Sequence, residues 1–332
     1  MRLLLLHTGG TLMMRAAAQS GGVLEPDVYT RDLLGELPVL RRIADIEARI
    51  LFSLDSSDMQ PHHWVEMARE VHGALDAYDG VVLVHGTDTM AYTASALAFL
   101  LPGLDRAVIL TGAQSPLGEV RSDARNNLVD ACYLATLPIP EVGIAFNAHL
   151  LRGCRASKLD AWSLNAFGSP ACAPLAELGV SVQIGAHLLP KRPPAPFDER
   201  IEPRVLAVRT FPGLDPRLLL GALGAGVRGM VIEAFGAGNV PHLENSLIPV
   251  FEAARTRDVP VVVVSQSPRG AVDLARYKGG SLAAAAGAVG GGDMTAEAAL
   301  TKLMIVLGRA DDAGRVRAAR EAFATPIAGE MS

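Results

Sequence analysis

The sequence predicts a two-domain α/β protein. A larger N-terminal domain is built on a mostly parallel sheet with flanking helices, and a smaller C-terminal α/β domain follows. Three observations predict this. Two short apolar runs, 3–6 and 81–84, end in Thr8-Gly9-Gly10-Thr11 and His85-Gly86-Thr87-Asp88-Thr89. An apolar run of four or five residues closed by Gly/Thr/Asp punctuation is the pattern of a buried parallel strand that delivers a loop. Strand-like and helix-like segments alternate in both halves of the chain, which implies a sheet covered by helices. Between the halves, residues 187–204 hold five prolines (Pro190, Pro193, Pro194, Pro196 and Pro203) with several charges, the composition of an extended linker. The expected domains are 1–186 and 205–332, joined by 187–204.

The elements follow in order. After the first strand, 46–54 reads as a strand ending in Asp55-Ser56-Ser57-Asp58-Met59. Pro61 suits the first turn of a helix, and Trp64, Met67, Val71, Leu75 and Tyr78 recur at spacings of three and four, giving that helix one apolar face. The strand 81–85 and a helix over 89–101 come next. Residues 107–110 form a strand ending in Thr111-Gly112-Ala113-Gln114, and 122–135 is helical. Beyond the linker the pattern predicts strands at 205–210, 229–235 and 259–264, with helices near 216–223 and 244–257. The Ala/Gly-rich 281–292 reads as a tightly packed loop or short helix. Two helices, 295–307 and 312–323, close the chain.

Bulk properties narrow the function. At 332 residues the chain has room for two domains. A net charge of −5 argues against a nucleic-acid partner. Three cysteines, Cys132, Cys154 and Cys172, with no C-x-x-C spacing, argue against a disulfide framework and fit a reducing compartment. The apolar run 3–6 is too short for a signal-peptide core, and no segment approaches a membrane span. A cytoplasmic protein with no membrane partner is expected. The eight histidines show no metal-ligand spacing, so no metal or cofactor is expected. Gly224-Ala225-Gly226-Val227-Arg228-Gly229 matches G-x-G-x-x-G, but the strand follows the glycines, whereas a dinucleotide site needs it before them.

The chemistry concentrates at strand ends, where doubly wound sheets bind ligands. Taken alone, Thr8-Gly9-Gly10-Thr11 is more often a plain turn. A functional reading has its glycines bring backbone N–H groups to a reacting carbonyl while Thr11 supplies a hydroxyl. His85-Gly86-Thr87-Asp88-Thr89 carries more. One N-cap needs one such residue, and here three polar residues crowd a helix N-terminus that favours developing negative charge. The hydroxyls of Ser56 and Ser57 suit a substrate carboxylate. Lys158, in Arg155-Ala156-Ser157-Lys158, reads by itself as a solvated surface residue.

Together these motifs resemble those of bacterial L-asparaginases, in order and rough spacing. The run from His85 through Thr87, Asp88 and Thr89 to Leu97 is similar to the cytoplasmic, type I branch. So are Arg121-Ser122-Asp123, Ala234 to Asn239, and Gly291 to Thr295. The resemblance covers nearly the whole chain. It implies hydrolysis of L-asparagine to L-aspartate and ammonia, with Thr11 as nucleophile on a mobile lid and a second cluster of Thr87, Lys158 and Asp88. Ser56 and Asp88 would hold the substrate α-carboxylate and α-ammonium. Backbone N–H groups near Thr87 would stabilise the oxyanion, and Ala113 would line the amide pocket. Asn239 would reach the site from a neighbouring subunit, in a homo-oligomer that is a dimer or a dimer of dimers.

Two departures from the family pattern stand out. Residues 12–27 contain no tyrosine where the family lid often carries one; Gly21-Gly22-Val23-Leu24 occupies that region and Tyr29 is the nearest candidate. The positions expected to form an allosteric asparagine pocket read Glu233 and Ser267, which argues against that regulation. Two other readings stay open. One is the asparaginase-like subunit of a tRNA-dependent amidotransferase, which typically carries an extra N-terminal module. The other is a non-catalytic amino-acid sensor, which needs neither nucleophile nor base.

Overall fold

The computed structural model describes residues 1–13, 35–101, 103–193, 196–311 and 313–332. The expectations for the lid, including Gly21–Leu24 and Tyr29, fall outside them. The chain divides into two compact units, Met1–Glu199 and Arg200–Ser332.

In the first unit, β1 (Arg2–Gly9), β2 (Asp45–Leu54), β3 (Gly80–Val84), β4 (Val108–Thr111) and β5 (Val142–Phe146) lie parallel in the order 2-1-3-4-5. Three further strands extend the sheet antiparallel beyond β5: β6 (His149–Arg152), β9 (Ala176–Leu178) and β10 (Val182–Ile184). A separate two-stranded hairpin pairs β7 (Ser157–Lys158) with β8 (Phe167–Gly168). The helices α1 (Pro61–Ala74), α2 (Met90–Leu100) and α3 (Ala124–Ala135) connect the parallel strands. Strands β3 and β5 and residues 3–9 of β1 are buried throughout, which is why they read as unbroken apolar runs.

The strand order reverses between β1 and β3. In open α/β sheets such a switch point opens a crevice beyond the carboxyl ends of the strands, and ligands bind there. Here the two threonine-rich loops leave those two strand ends.

The second unit holds a four-stranded parallel sheet in simple order: β11 (Val205–Arg209), β12 (Gly229–Ala234), β13 (Val261–Ser265) and β14 (Val289–Gly290). Helices α4 (Pro216–Gly224), α5 (Ile248–Thr256), α6 (Lys278–Ala285), α7 (Ala296–Arg309) and α8 (Arg315–Phe323) accompany it.

The structure differs from the sequence reading in informative ways. The apolar stripe of α1 continues to Tyr78, but the helix ends at Ala74; Leu75 and Tyr78 stay buried in the turn that follows. The Ala/Gly-rich 281–292 resolves into the end of α6, a turn and β14. Helix α5 begins at Ile248, later than the acidic start at Glu244 suggested. The 224–229 glycines do carry the chain from α4 into β12, with Gly226 at φ +95°. The described residues of the Pro-rich segment have no helix or strand. Its start is pinned to the first unit: a buried pair of Arg152 with Glu141 (2.5 Å) also takes the His187 carbonyl (2.8 Å) and the Leu189 N–H (2.6 Å). No described helix is long and apolar enough to cross a membrane.

One tertiary cap gives a pH-dependent prediction. Asp258, at φ +53°, accepts the backbone N–H groups of Gly314, Arg315 and Val316 at the start of α8. Burial pushes its pKa up, but these three donors outweigh burial and hold the carboxyl below its usual range. A carboxyl with a depressed folded pKa stabilises the fold above its unfolded value and loses that contribution as pH falls through the folded one. Asp258→Asn keeps the residue's tolerance of this backbone. It is expected to cost about 1–2 kcal/mol at neutral pH, and the difference should shrink below about pH 4. Urea unfolding of both proteins across that range measures it.

Candidate active site

Glycines let the strand ends close on one another. Gly9 (φ +117°) and Gly10 (φ +94°) turn the chain out of β1. A Cβ on Gly9 would collide with the Leu54 carbonyl at the end of β2. A Cβ on Gly10 would lie 2.5 Å from the Gly86 Cα, and one on Gly86 would lie 2.6 Å from Ser56 Oγ. The backbone before Thr11, the backbone before Thr87 and the Ser56 side chain therefore meet at the switch point. The buried Thr8 hydroxyl ties the two central strands together by donating to the Val84 carbonyl at 2.9 Å.

Thr11 opens a short 310 turn over Thr11–Met13 and is partly buried. Leu12 behind it is sunk in the core, and its carbonyl accepts the Leu117 N–H. At the second loop, the capping role does not account for the polar residues. Thr89 occupies the N-cap position of α2 without a side-chain cap bond, and its hydroxyl donates instead to the Ser56 carbonyl at 2.7 Å. Asp88 N–H donates to Ser56 Oγ at 3.3 Å.

Lys158, which by its local residues alone reads as a solvated surface residue, is not one. Its side chain is only 18% exposed. Its Nζ donates to Thr87 Oγ1 at 2.8 Å and to Asp88 Oδ1 at 2.6 Å. The hairpin β7–β8 carries it there from seventy residues away, which no local pattern announces. Thr87 is 7% exposed, and the Asp88 side chain is 66% exposed. The pair is thus half open to solvent, with the carboxylate facing outward.

A fourth strand end completes the arrangement. Ala113 is buried after β4. The next residue, Gln114, accepts the Thr87 hydroxyl proton at Oε1 (3.1 Å) and donates from Nε2 to the Ser163 carbonyl (3.3 Å). Thr87 Oγ1 thus accepts from Lys158 and donates to Gln114. The Asp123 carboxylate fixes this turn by accepting the N–H groups of Gln114 and Ser115, and Asn127 Nδ2 braces it at 3.0 Å. Sequence reasoning missed Gln114 as a partner of Thr87. Its only signal was a polar residue directly after a strand end.

Ser57 points away from this cluster: both its N–H and its hydroxyl donate to Asp55 Oδ1 at 2.8 Å. Asn239 lies in the second unit, in a turn closed by backbone bonds with Phe235. Its Oδ1 is buried without a hydrogen-bond partner, so that oxygen does not cap its own turn. Glu233 and Ser267 also belong to this unit, where Glu233 faces Arg209 at 3.7 Å. Among the described residues no group of three or more His, Cys, Asp or Glu could hold a metal ion.

Comparison with known proteins agrees with this architecture. The family model "Asparaginase, N-terminal" matches residues 2–189, and "Glutaminase/Asparaginase C-terminal domain" matches 204–319. L-asparaginase from Thermococcus kodakarensis is 38% identical, over 100% of this chain and 99% of the relative. Its solved structure superposes with a TM-score of 0.90, again covering 100% and 99% of the two chains. L-asparaginase 1 of Escherichia coli K12 is 37% identical over 98% of this chain and 96% of its own length. L-asparaginase I from Vibrio cholerae is 34% identical, with a TM-score of 0.88 over 100% of this chain and 99% of that one. On sequence, domain composition and fold, the chain belongs to the asparaginase/glutaminase family.

Proposed function

We propose that this protein is a cytoplasmic amidohydrolase that converts L-asparagine to L-aspartate and ammonia, without metal or cofactor. The observation that carries the proposal is the contact set at the switch point: Lys158 Nζ bonded to both Thr87 and Asp88, beside the Gly10–Gly86 contact that seats Thr11. A sensor needs a charge for each substrate charge. It does not need a half-buried lysine aimed at a threonine hydroxyl.

The chemistry divides into two halves. Thr11 Oγ attacks the side-chain amide carbon, its proton passes to the leaving nitrogen, and the C–N bond breaks to release ammonia and leave an ester on Thr11. Water then adds to that ester, a proton returns to Thr11 Oγ, and aspartate leaves. Threonine is a weak nucleophile unless a base accepts its proton. The Thr87–Lys158–Asp88 cluster supplies the route for it. An arriving α-ammonium competes with Lys158 for the Asp88 carboxylate. The Ser56 hydroxyl takes the α-carboxylate, and Ala113 walls the amide pocket. Ammonia release by the purified chain, with L-asparagine and L-glutamine side by side, tests the reading. No release from either would defeat it.

L-Asparagine is expected to be the better substrate. A site that fixes both the α-carboxylate and the α-ammonium places an amide one methylene longer off the line of attack. Equal kcat/KM for the two amides would show that the pocket does not hold both charges.

The site is also proposed to be shared between chains, with Asn239 reaching the site of a neighbouring subunit in a C2 dimer or a dimer of dimers. The support for this reading is the family resemblance of the loop from Ala234 to Asn239. Thr11→Val and Asn239→Ala should each be weak alone. Mixed dimers would hold one site with neither lesion, so refolding the two together should restore part of the activity. Verified mixed dimers without recovery, with Asn239→Ala itself impaired, would place Asn239 within its own chain's site.

A further inference from the structure

Thr87 follows a glycine that the close packing against Gly10 and Ser56 requires. That glycine makes the backbone carrying the Thr87 hydroxyl more permissive than any other residue would. Some other group has to hold it. The residue before it, His85, is buried at 1% exposure, and its own N–H is fixed by the Thr111 carbonyl at 2.8 Å. Its Nδ1 lies 2.7 Å from the Gly86 carbonyl oxygen, and its Nε2 lies 2.9 Å from Thr93 Oγ1. The fully buried Thr93 hydroxyl also accepts Trp64 Nε1–H at 3.1 Å.

We propose that His85 is a positioning residue: as the neutral Nδ1–H tautomer it grips the Gly86 carbonyl and thereby sets the Gly86–Thr87 peptide and the Thr87 hydroxyl. The inference rests on the role given to Thr87 above. The directions of the bonds follow from chemistry. A carbonyl oxygen only accepts, so Nδ1 carries the hydrogen. Burial draws the imidazole pKa down to about 4, against a smaller upward pull from the Gly86 contact, so the ring is neutral near pH 7 and Nε2 is bare. Thr93 must then donate to Nε2, and it accepts from Trp64 with a remaining lone pair. The path Trp64→Thr93→His85→Gly86 runs one way, with each of these donors matched to an acceptor. A side chain that only filled volume would not need both ring nitrogens engaged.

Two substitutions separate the two ring nitrogens. In His85→Asn the amide nitrogen falls where Nδ1 was and can still hold Gly86. In His85→Gln the amide reaches the Nε2 position and can hold Thr93, but the Gly86 grip is lost. The expected result is kcat for L-asparagine within about tenfold of wild type for H85N and about 100-fold lower for H85Q, with KM little changed, because small misplacements of a reacting group are costly. Equal losses, or an H85Q enzyme with wild-type kcat, would overturn the proposal. Should either variant fail to fold, 15N NMR of the wild-type imidazole decides: a protonated Nδ1 and bare Nε2 are expected, and an Nε2–H ring would overturn it. Wild-type protein that releases no ammonia would instead defeat the reading of Thr87. Crystal structures of the two variants then judge His85 by itself. A Gly86 carbonyl held in H85N and rotated in H85Q supports the positioning role, and one unmoved in both refutes it.

Discussion

Thr11→Val and Thr87→Val are each expected to lower kcat for L-asparagine on the order of 10⁴-fold, because each removes one member of a set that works as a unit. Valine keeps the β-branched shape and removes only the hydroxyl, so the lesion is chemical. At position 87 the change deletes the oxygen that accepts from Lys158 and donates to Gln114. The Lys158–Asp88 ion pair is left in place but no longer joined to a threonine. The double variant should be little worse than either single one, since a broken relay cannot be broken twice. Steady-state ammonia release, with thermal unfolding as a control on folding, measures all three. Turnover near wild type in either single variant would mean that the roles are misassigned.

The largest effect on stability is expected in the second unit. The Lys302 ammonium and the Glu330 carboxylate are paired with both side chains at 0% exposure. Lys302 also donates to the Thr325 carbonyl at 3.3 Å and lies over the Phe323 ring. Glu330 accepts the N–H groups of Ile327 and Ala328. The pair therefore fastens the last residues of the chain to α7. Removing one partner leaves the other charge buried and uncompensated, which costs about 3–5 kcal/mol. Lys302→Met and Glu330→Gln should each lower unfolding stability by that order. The double variant K302M/E330Q should recover most of the loss, because it restores a neutral interior. Denaturant midpoints for the three proteins provide the check. Single variants within about 0.5 kcal/mol of wild type, the range of ordinary surface changes, would contradict a buried pair.

The sequence by itself determined the elements whose physics is local. Strands β1 and β3 are buried on both faces, so they show as unbroken apolar runs, and the glycines and threonines that close them mark the loops. Helix α1 announced itself by spacing, with Trp64, Met67 and Val71 on the buried side. Short strands such as Ala176–Leu178 and Val182–Ile184 were not legible, because three residues carry no measurable period. At the site, Thr11, Thr87, Asp88 and Ser56 could be nominated because each sits beside a strand end. Lys158 was nominated by the family resemblance alone, since a two-residue strand has no pattern and its partners lie seventy residues back. Gln114 reaches Thr87 only because β3 and β4 are neighbours. Lys302 would by charge belong on a solvated face, yet Glu330 meets it in the interior. Periodicity reports what surrounds a residue within a few positions along the chain. Which distant charge or hydroxyl faces it is set by strand order and register, and those exist only once the sheet has formed.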